Sequence, residues 1–313
     1  MKKEFKPIKI TVIGTVCWDK IIHPDGRSTE SFGGIAYSIL TLAALLESRA
    51  VIRPVCLIGH DRYQGVLNLF EQSPDIDLAG IRPVEHKNNA VTLIYSDEQK
   101  REEILEGGVP SLTYEEIEPF LEADYLLVNF ISGWDLSLEV LQRIREKSRA
   151  KIYMDIHSLT LGKEKSGKRF LQAPEEWEMY VTCADYLQLN QVELETLAGE
   201  QLTIEEIERE SRNLQKLGPV IVAVTLADRG CLLVCKTASG EVVSKSVPGK
   251  RVEPVKDTTG CGDVFGAAFL GKLIAILDPA QAADFANYLA GLKATFSGLE
   301  GLKYFTPLDL EFT

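Results

Sequence analysis

The stretch "KDTTGCGDVFGAAFLGKL", residues 256–273, places Gly260 and Gly262 around Cys261, immediately before Asp263 and an apolar run typical of a helix. An interior helical glycine costs roughly 1 kcal/mol relative to alanine. Backbone N–H groups at a helix start have no intrahelical partner and together carry about half a positive charge. Glycines there expose the amides to an approaching anion, so the stretch predicts a phosphate-binding turn.

Asp263 is expected in the first turn of that helix, where its carboxyl group should be ionised. A carboxylate beside a bound phosphate is useful when it takes a proton from an attacking group, as the base does in phosphoryl transfer. The alternative is an ordinary helix start, in which the glycines shape the turn and Asp263 complements the helix dipole. That alternative accounts for Asp263 but leaves the cost of Gly260 and Gly262 unexplained.

Other glycine patterns in the chain do not predict a nucleotide-binding motif. The segments "GAAFLGKL" (266–273) and "GKEKSGKR" (162–169) match GxxxxGK, but both lack the Ser or Thr that would hold magnesium. The segment "GCGDVFG" does not match GxGxxG, and the expected acidic residue after a second strand is missing. A P-loop and a dinucleotide-dependent oxidoreductase are therefore disfavoured.

Composition narrows the class of protein further. The chain has 313 residues, of which 45% are hydrophobic, enough for one large globular domain or slightly more. Its net charge is −12 and it has no block of consecutive basic residues, so a nucleic acid or a membrane is not expected as partner. The six cysteines form no CxxC pair, and "MKKEFKPIKITVIG" reads as a strand rather than a signal peptide, so we expect a cytoplasmic protein.

Short apolar runs alternate with longer amphipathic runs along most of the chain. Strands are predicted at 9–15, 125–130, 151–156, 186–190, 220–225 and 231–236. Helices are predicted at 34–47, 63–72, 114–121, 136–147, 191–198, 203–217, 261–276 and 279–297. This alternation predicts an α/β fold in which a mostly parallel central sheet is covered by helices on both faces.

Two segments, 16–32 and 80–107, interrupt the alternation with short runs of alternating polarity such as "AVTLIYSDEQKREEILEGG". These runs predict antiparallel strands that project from the main layer and form a small β lid. We expect residues 1–313 to form a single domain with these two lid segments.

The stretch "DTTGCGDVFGAAFL" resembles the carboxyl-terminal signature of the ribokinase-like (pfkB) sugar and nucleoside kinases, usually DTxGAGD. The resemblance spans nearly the whole chain and implies a ribokinase-like three-layer α/β/α core with a small β lid. It implies that the amides of Gly260, Cys261 and Gly262 form an anion hole and that Asp263 is the catalytic base. Cys261 stands where alanine or glycine is usual, a small departure because only its amide binds.

The resemblance also implies a substrate site near the amino terminus. The segment "TVIGTVCWDKI" resembles a first strand followed by a substrate-binding aspartate, here Asp19, although such an aspartate is ordinarily a turn residue. The segment "FGGIAYSI" resembles the family's paired-glycine signature, here Gly33 and Gly34, with a plain loop-to-helix turn as the alternative. Tyr37 occupies the position of the usual asparagine, where an aromatic ring offers stacking in place of an amide's hydrogen bonds, and this departure bears on which substrate is bound.

On the nucleotide side, "LNQVELETLAG" (189–199) matches the family's NxxE motif with Asn190 and Glu193. In the family this glutamate organises magnesium through water. The same spacing is a helix-capping arrangement, which is the alternative interpretation. The segment "VTLADRG" (224–230) resembles the nucleotide loop, with Thr225 near phosphate or ribose, Gly230 in the turn, and Ala227 in place of the middle glycine.

Two further segments carry weaker signals. The segment "FANYLAGLKATFSG" (285–298) resembles the lining of the adenine pocket and makes Asn287 a candidate contact, against the alternative of a core helix. The segment "MDIHSL" (154–159) puts Asp155 and His157 at the carboxyl end of a strand, where open α/β sheets bind ligands. The family often has a polar pair there, although a lone histidine is more often structural.

The sequence thus predicts an ATP-dependent kinase that phosphorylates an alcohol hydroxyl of a sugar, polyol or nucleoside. Magnesium would bridge the nucleotide phosphates, and the resemblance implies a monovalent cation near the anion hole in some members. The exposed lid sheet offers an edge for a homodimer. A second hypothesis is a catalytically silent member that binds a small ligand as a sensor or assembly partner. It is motivated by Tyr37 and Ala227, whereas the intact Asp263 disfavours it.

Overall fold

The computed structural model describes residues 6–95 and 101–306. The strands there are β1 Ile8–Ile13, β2 Val16–Ile22, β3 Ser28–Gly34, β4 Ala50–Gly59, β5 Ile81–Val84, β6 Ala90–Tyr95, β7 Arg101–Glu106, β8 Tyr125–Asn129, β9 Lys151–Asp155, β10 Leu161–Lys163, β11 Arg169–Leu171, β12 Tyr186–Asn190, β13 Ile221–Thr225, β14 Gly230–Lys236 and β15 Val242–Pro248. The α-helices are α1 Ile35–Leu46, α2 Tyr63–Phe70, α3 Tyr114–Ile117, α4 Leu138–Lys147, α5 Trp177–Val181, α6 Gln191–Ala198, α7 Ile204–Lys216, α8 Cys261–Ile276 and α9 Pro279–Lys293.

The central sheet has nine strands in the order β15-β14-β13-β12-β9-β8-β1-β4-β5. The strands from β13 to β5 in this order pair in parallel, whereas β14 and β15 are antiparallel additions at one edge. The predicted mostly parallel sheet is therefore confirmed. The carboxyl ends of β8, β9, β12 and β13 lie side by side, and ligands bind at this edge in open α/β sheets.

Helices cover both faces of this sheet and create two hydrophobic cores. On one face α8 packs between α1, which lies over β1 and β4, and α9, which lies over β14 and β15. On the other face the side chains of α3, α4, α6 and α7 form the second core. Parallel strands buried on both faces are continuously apolar, as "IVAVT" in β13 illustrates. The predicted three-layer arrangement is confirmed.

A second sheet of four strands, in the order β3-β2-β6-β7, is built from residues 16–34, 90–95 and 101–106. The predicted small sheet is thus present, but not all of its pairs are antiparallel, because β2 pairs with β6 in parallel. The start of the predicted segment 80–107 also differs, because β5 joins the edge of the central sheet beside β4. The β10–β11 hairpin reaches this sheet, since the amide of Leu105 donates to the carbonyl of Gly167 at 2.8 Å.

Two predicted helices are shorter than expected. The helix predicted at 114–121 is one α-turn, α3, followed by a 3-10 turn at Glu118–Phe120 with Pro119 near its start. The helix predicted at 279–297 ends at Lys293. Of the helices in residues 6–95 and 101–306, none combines the length and the apolar character needed to cross a bilayer.

Candidate active site

Helix α8 begins at a turn that only glycine fits comfortably. Gly260 caps the helix with φ of 80°, in the left-handed region, and a Cβ there would lie 2.6 Å from the ring of Tyr37. The amide of Cys261 donates to the carbonyl of Thr258 at 3.2 Å, within the turn itself. Local geometry therefore explains why residue 260 is glycine. Because Gly260 caps the helix and is not an interior helical residue, the helix-propensity cost expected from the sequence does not apply to it.

Gly262 has no comparable local explanation. A Cβ at this position would meet only Nε2 of Gln188, at 3.9 Å, among the described residues, so the protein leaves space beside the first turn of α8. The carbonyl of Gly262 accepts a hydrogen bond from Nε2 of Gln188 at 3.0 Å. The glycine is thus held in place while its outer side stays open to an anion.

Asp263 is buried in the first turn of α8 and faces the carboxyl edge of the sheet. Nδ2 of Asn129, at the end of β8, donates to Oδ1 of Asp263 at 2.7 Å. Burial raises the pKa of Asp263 to about 7, and the charge of Asp19 adds to that increase, while the bond from Asn129 and the charge of Lys293 oppose it. A carboxyl group with a pKa near neutrality is suited to accept a proton at physiological pH.

A hydrogen-bonded chain under the turn connects α8 to two neighbouring strands. The hydroxyl of Tyr153 donates to Oε1 of Gln188 at 2.6 Å, and Nε2 of Gln188 donates to Oδ2 of Asp155 at 3.1 Å. Burial, followed by the charges of Glu193 and Asp263, raises the pKa of Asp155 well above its ordinary value. Asp155 therefore lies at the predicted edge, beside the turn.

Asp19 and the paired glycines lie together between the two sheets. In the β2–β3 ladder Asp19 is opposite Ser31, and a Cβ at Gly33 would overlap Oδ2 of Asp19. Gly34 has φ of 62°, and a Cβ there would overlap the carbonyl of Thr15. The buried carboxylate of Asp19 accepts from Sγ of Cys17 at 3.1 Å and is close enough to raise the pKa of Asp263. Gly33 thus makes room for a carboxylate near the candidate base, and Gly34 makes room for the backbone of Thr15.

The structure corrects the expectation of aromatic stacking. The ring of Tyr37 is 1% exposed and packs under Gly260, so it is a support of the turn rather than a stacking surface. Trp18 points to the face of the small sheet opposite Asp19, because neighbouring strand residues alternate in direction. There it contacts Phe32, with ring centroids 5.1 Å apart, and the guanidinium of Arg62 at 4.0 Å.

Asn190 and Glu193 form the capping box that their spacing allows. The amide of Glu193 donates to Oδ1 of Asn190 at 2.9 Å, and the amide of Asn190 donates to Oε2 of Glu193 at 2.8 Å. The pair begins α6 at the carboxyl end of β12, beside Asp155. Its capping function is thus present, and Glu193 still lies close enough to raise the pKa of Asp155.

Thr225 ends β13, and the loop after it holds two residues with positive φ. Ala227 has φ of 54°, the region that favours glycine, at the position where the family's loop has glycine. Gly230 has φ of 96°, and a Cβ there would overlap the carbonyl of Val247. His157, by contrast, contacts Oγ of Ser158 through Nδ1 at 2.9 Å, which indicates a structural role in its own turn.

Asn287 lies on the buried side of α9. Its Nδ2 donates to the carbonyls of Val247 and Pro248, at 3.2 and 3.1 Å, and so ties α9 to the end of β15. The amide nitrogen is thereby used within the protein, and only Oδ1 is left for a ligand. The core-helix interpretation explains most of what the structure shows for this residue.

Comparison with known families agrees with the geometry. The sequence model of the pfkB family carbohydrate kinases matches residues 8–301. The chain belongs to the pfkB family. This kinase is 25% identical, over 267 residues, to the cytidine kinase of Thermococcus kodakarensis, an alignment that covers 84% of this chain and 87% of that one.

Solved structures show the same fold. A pyrophosphate-dependent kinase of the ribokinase family, solved as a sulfate complex, superposes with a TM-score of 0.76 at 20% identity, covering 92% of this kinase and 96% of that chain. The ribokinase of Thermotoga maritima superposes with a TM-score of 0.71 at 23% identity, covering 95% and 96%. The ribokinase-like fold and the predicted enzyme class, a carbohydrate or nucleoside kinase, are therefore confirmed.

Several residues of the site lie outside the sequence predictions. Asn129 donates a hydrogen bond to Asp263, and Gln188 donates one to the carbonyl of Gly262 in the turn. Asn129 is the last residue of the apolar strand β8, and Gln188 lies near the carboxyl end of the apolar strand β12. A polar side chain at that end of a buried parallel strand was the available signal. Throughout residues 6–95 and 101–306, no three His, Cys, Asp or Glu side chains gather closely enough to hold a metal ion by themselves.

Proposed function

We propose that this kinase transfers the terminal phosphoryl group of ATP to an alcohol hydroxyl of a sugar, polyol or nucleoside. The observation that carries the proposal is the position of Asp263. Its buried carboxyl, with a pKa raised to about 7, lies one residue after the open side of Gly262. A base and an anion-binding turn in one helical turn are the two parts that phosphoryl transfer requires.

The proposed reaction begins at the acceptor hydroxyl. Asp263 takes its proton while the hydroxyl oxygen bonds to the terminal phosphorus of the donor, and the bond from that phosphorus to the ADP oxygen breaks. Since Asn129 binds Oδ1 of Asp263, the other carboxylate oxygen is left to take the proton. Asp19, for which Gly33 makes room beside Gly34, holds the acceptor by accepting hydrogen bonds from its hydroxyls.

The amides of Gly260, Cys261 and Gly262 would stabilise the charge on the transferred group. For a three-amide hole, the amide of Cys261 must share or leave its 3.2 Å bond to the carbonyl of Thr258. The side-chain oxygens Oδ1 of Asn129 and Oγ1 of Thr259 are buried without a partner in the described part of the chain. Buried polar atoms normally have partners, so these two flank a place where a bound ligand would satisfy them.

The acidic pair Asp155 and Glu193 fits a magnesium ion held through water. Burial and then the charge of Glu193 raise the pKa of Asp155, and a cation between the two carboxylates would relieve their repulsion. Magnesium commonly keeps most of its waters and binds one or two carboxylates together with substrate phosphates. When bound, it would neutralise phosphate charge.

On the donor side we propose Thr225 and Gly230 near the phosphates or ribose and Asn287, through Oδ1, near adenine. We propose that residues 1–313 form one domain and that the small sheet, with lid segments at about 16–32 and 80–107, acts as the lid. A homodimer would form through the edge of this small sheet. All six cysteines are free thiols, which suits a cytoplasmic protein, and the net charge of −12 suits one with no nucleic-acid or membrane partner.

A coupled assay of ADP release, with ribose, a cyclic polyol and cytidine as acceptors, tests the proposal. Pyrophosphate serves as the alternative donor, with release of orthophosphate as its readout, because a similar structure belongs to a pyrophosphate-dependent kinase. We expect ADP release that requires one of the acceptors. Ligand binding by calorimetry with no turnover from either donor would instead support the silent ligand-binding protein.

A further inference from the structure

Lys293, the last residue of α9, is fully buried directly behind the anion-binding turn. Its Nζ donates to the carbonyl oxygens of Asp257 and Phe296, at 3.2 and 3.1 Å, and lies 3.7 Å from Oδ2 of Asp257. Lysine is almost never fully buried unless its charge is paired. A buried ammonium held by two carbonyl oxygens, with the rings of Tyr37 and Phe296 at 5.4 and 5.3 Å, therefore indicates a specific role.

The contacts of Lys293 fix the segment that leads into α8. The amides of Lys256 and Asp257 both donate to the carbonyl of Ala294, at 2.7 and 3.1 Å, so the end of α9 holds this segment by backbone and side chain together. Oδ1 of Asp257 then accepts the amide of Thr259 at 2.9 Å, one residue before Gly260. The position of the turn thus depends on where Lys293 and Ala294 hold Asp257.

A second path runs through Tyr37. Nζ of Lys293 lies 5.4 Å from the centre of the Tyr37 ring, and that ring packs against Gly260. The Tyr37 ring therefore contacts both the positive charge of Lys293 and the turn at Gly260. A cation is attracted to the face of an aromatic ring. The same charge acts on the reacting groups, since it favours the ionised forms of Asp263 and of the Cys261 thiol.

The atoms around Nζ are also the ligands that an alkali cation would need. Two backbone carbonyls and a carboxylate are hard oxygen donors; here the ammonium hydrogen-bonds both carbonyls and lies within ion-pair distance, 3.7 Å, of Oδ2 of Asp257, which makes no hydrogen bond to any described residue. The monovalent cation expected near the anion hole from the family resemblance does not fit beside Nζ at these oxygens.

We propose that Lys293 is a positioning residue whose covalently attached ammonium takes the place of a dissociable monovalent cation behind the anion-binding turn. This inference rests on the proposed kinase function. With the ammonium of Lys293 in this role, catalysis does not depend on added potassium, sodium or ammonium ions. A side chain tethered to α9 keeps its charge in position at any ionic composition, because it cannot dissociate.

The first experiment uses the wild-type kinase. Turnover is compared in potassium chloride and in tetramethylammonium chloride at equal ionic strength, and melting temperatures are measured in the same two salts. The inference expects equal rates and equal melting temperatures. A rate or melting temperature that rises specifically with potassium would overturn it. If no donor and acceptor pair gives turnover, the proposed function fails, and the melting temperatures still decide the inference.

The second experiment removes the ammonium. Lys293→Met should lower kcat about a hundredfold, the size of effect seen when one charge-stabilising donor is lost, with the acceptor KM little changed. Lys293→Ala opens space at the same carbonyls, so potassium or ammonium ions should partly restore kcat and raise its melting temperature. Lys216 is the matched control, because it also ends a helix, α7, but is exposed. A folded Lys293→Ala variant with full turnover in tetramethylammonium chloride would refute the role of Lys293.

Discussion

Nδ2 of Asn129 donates a 2.7 Å hydrogen bond to Oδ1 of Asp263, joining the end of β8 to the first turn of α8 across 134 positions of sequence. This bond is the largest of the contributions that lower the pKa of Asp263, against a burial effect that raises it to about 7. It also orients the carboxylate, so that one oxygen is held and the other is available to the acceptor hydroxyl. Asn129 therefore adjusts both the geometry and the proton affinity of the proposed base.

The pH dependence of catalysis should reveal this bond. In the wild-type kinase, kcat/KM should fall as the pH drops through about 7, because the base must be ionised. Asn129→Leu removes the donor that stabilises the ionised form, so the pKa of Asp263 should rise and the acidic limb should move to higher pH. Full pH–rate profiles of both proteins measure this shift. Asn213→Leu, an exposed change on α7, is the control, and an unmoved limb in Asn129→Leu would contradict the assignment.

A substitution at Gly262 distinguishes an anion-binding role of this glycine from a packing role. Because a Cβ at this position has room, Gly262→Ala should fold normally and gain up to about 1 kcal/mol of stability from helix propensity. The added methyl group should nevertheless obstruct the phosphate, raising the donor KM and lowering kcat. Gly271→Ala is matched, because it lies on the same helix with only ordinary contacts at 3.9 to 4.0 Å. Steady-state kinetics and thermal unfolding of both variants test this, and equal activity of the two would argue against the anion hole.

Gly33 should affect the acceptor and not the donor. A Cβ at Gly33 overlaps Oδ2 of Asp19, so Gly33→Ala must displace that carboxylate. The acceptor KM should rise at least about tenfold, as expected when a hydrogen bond to a charged group is lost, while the donor KM stays the same. Asp19→Asn should show the same division between the two substrates. If either variant changed only the donor KM, Asp19 would not be the acceptor ligand.

Much of the core could be predicted from local pattern. Helix α8 begins and ends where the sequence predicts, because its glycine turn and apolar run are both local signals. Strand β4 is missing from the prediction, although it is an inner strand of the sheet, paired with β1 on one side and β5 on the other. Its run contains Arg53 and Pro54, which usually exclude a central strand. In the structure the guanidinium of Arg53 donates to the carbonyls of Phe120 and Glu122, at 3.3 and 2.7 Å, contacts that no local pattern predicts.

The sequence predicts those site residues that belong to a short motif. It does not predict those whose role depends on how distant helices and strands pack together. Asp263, Asp19 and the glycines belong to such motifs, and the fold brings Asp19 near Asp263 as the pattern implies. Tyr37 was wrongly expected to stack on a ligand, because its burial depends on α8 packing against α1. Lys293 gave no signal, since a lysine at the end of an amphipathic helix is ordinarily exposed.

The stability of an Asp263→Asn variant follows from the same pKa. The folded-state pKa of Asp263, about 7, lies above its ordinary value of 3.8, so the native state binds this proton more tightly than the unfolded chain. The contribution of Asp263 to stability therefore declines as pH rises from about 4 through about 7. The asparagine variant avoids that loss and should melt at least as high as the wild type at pH 8. Thermal unfolding at pH 5 and pH 8 checks the sign.

Turnover of this folded Asp263→Asn variant, measured with saturating donor and the best acceptor, tests the central claim most directly. The account predicts that kcat falls about a thousandfold, within the range of general base catalysis, while both substrates still bind. Near-wild-type turnover by the variant would contradict Asp263 as the base.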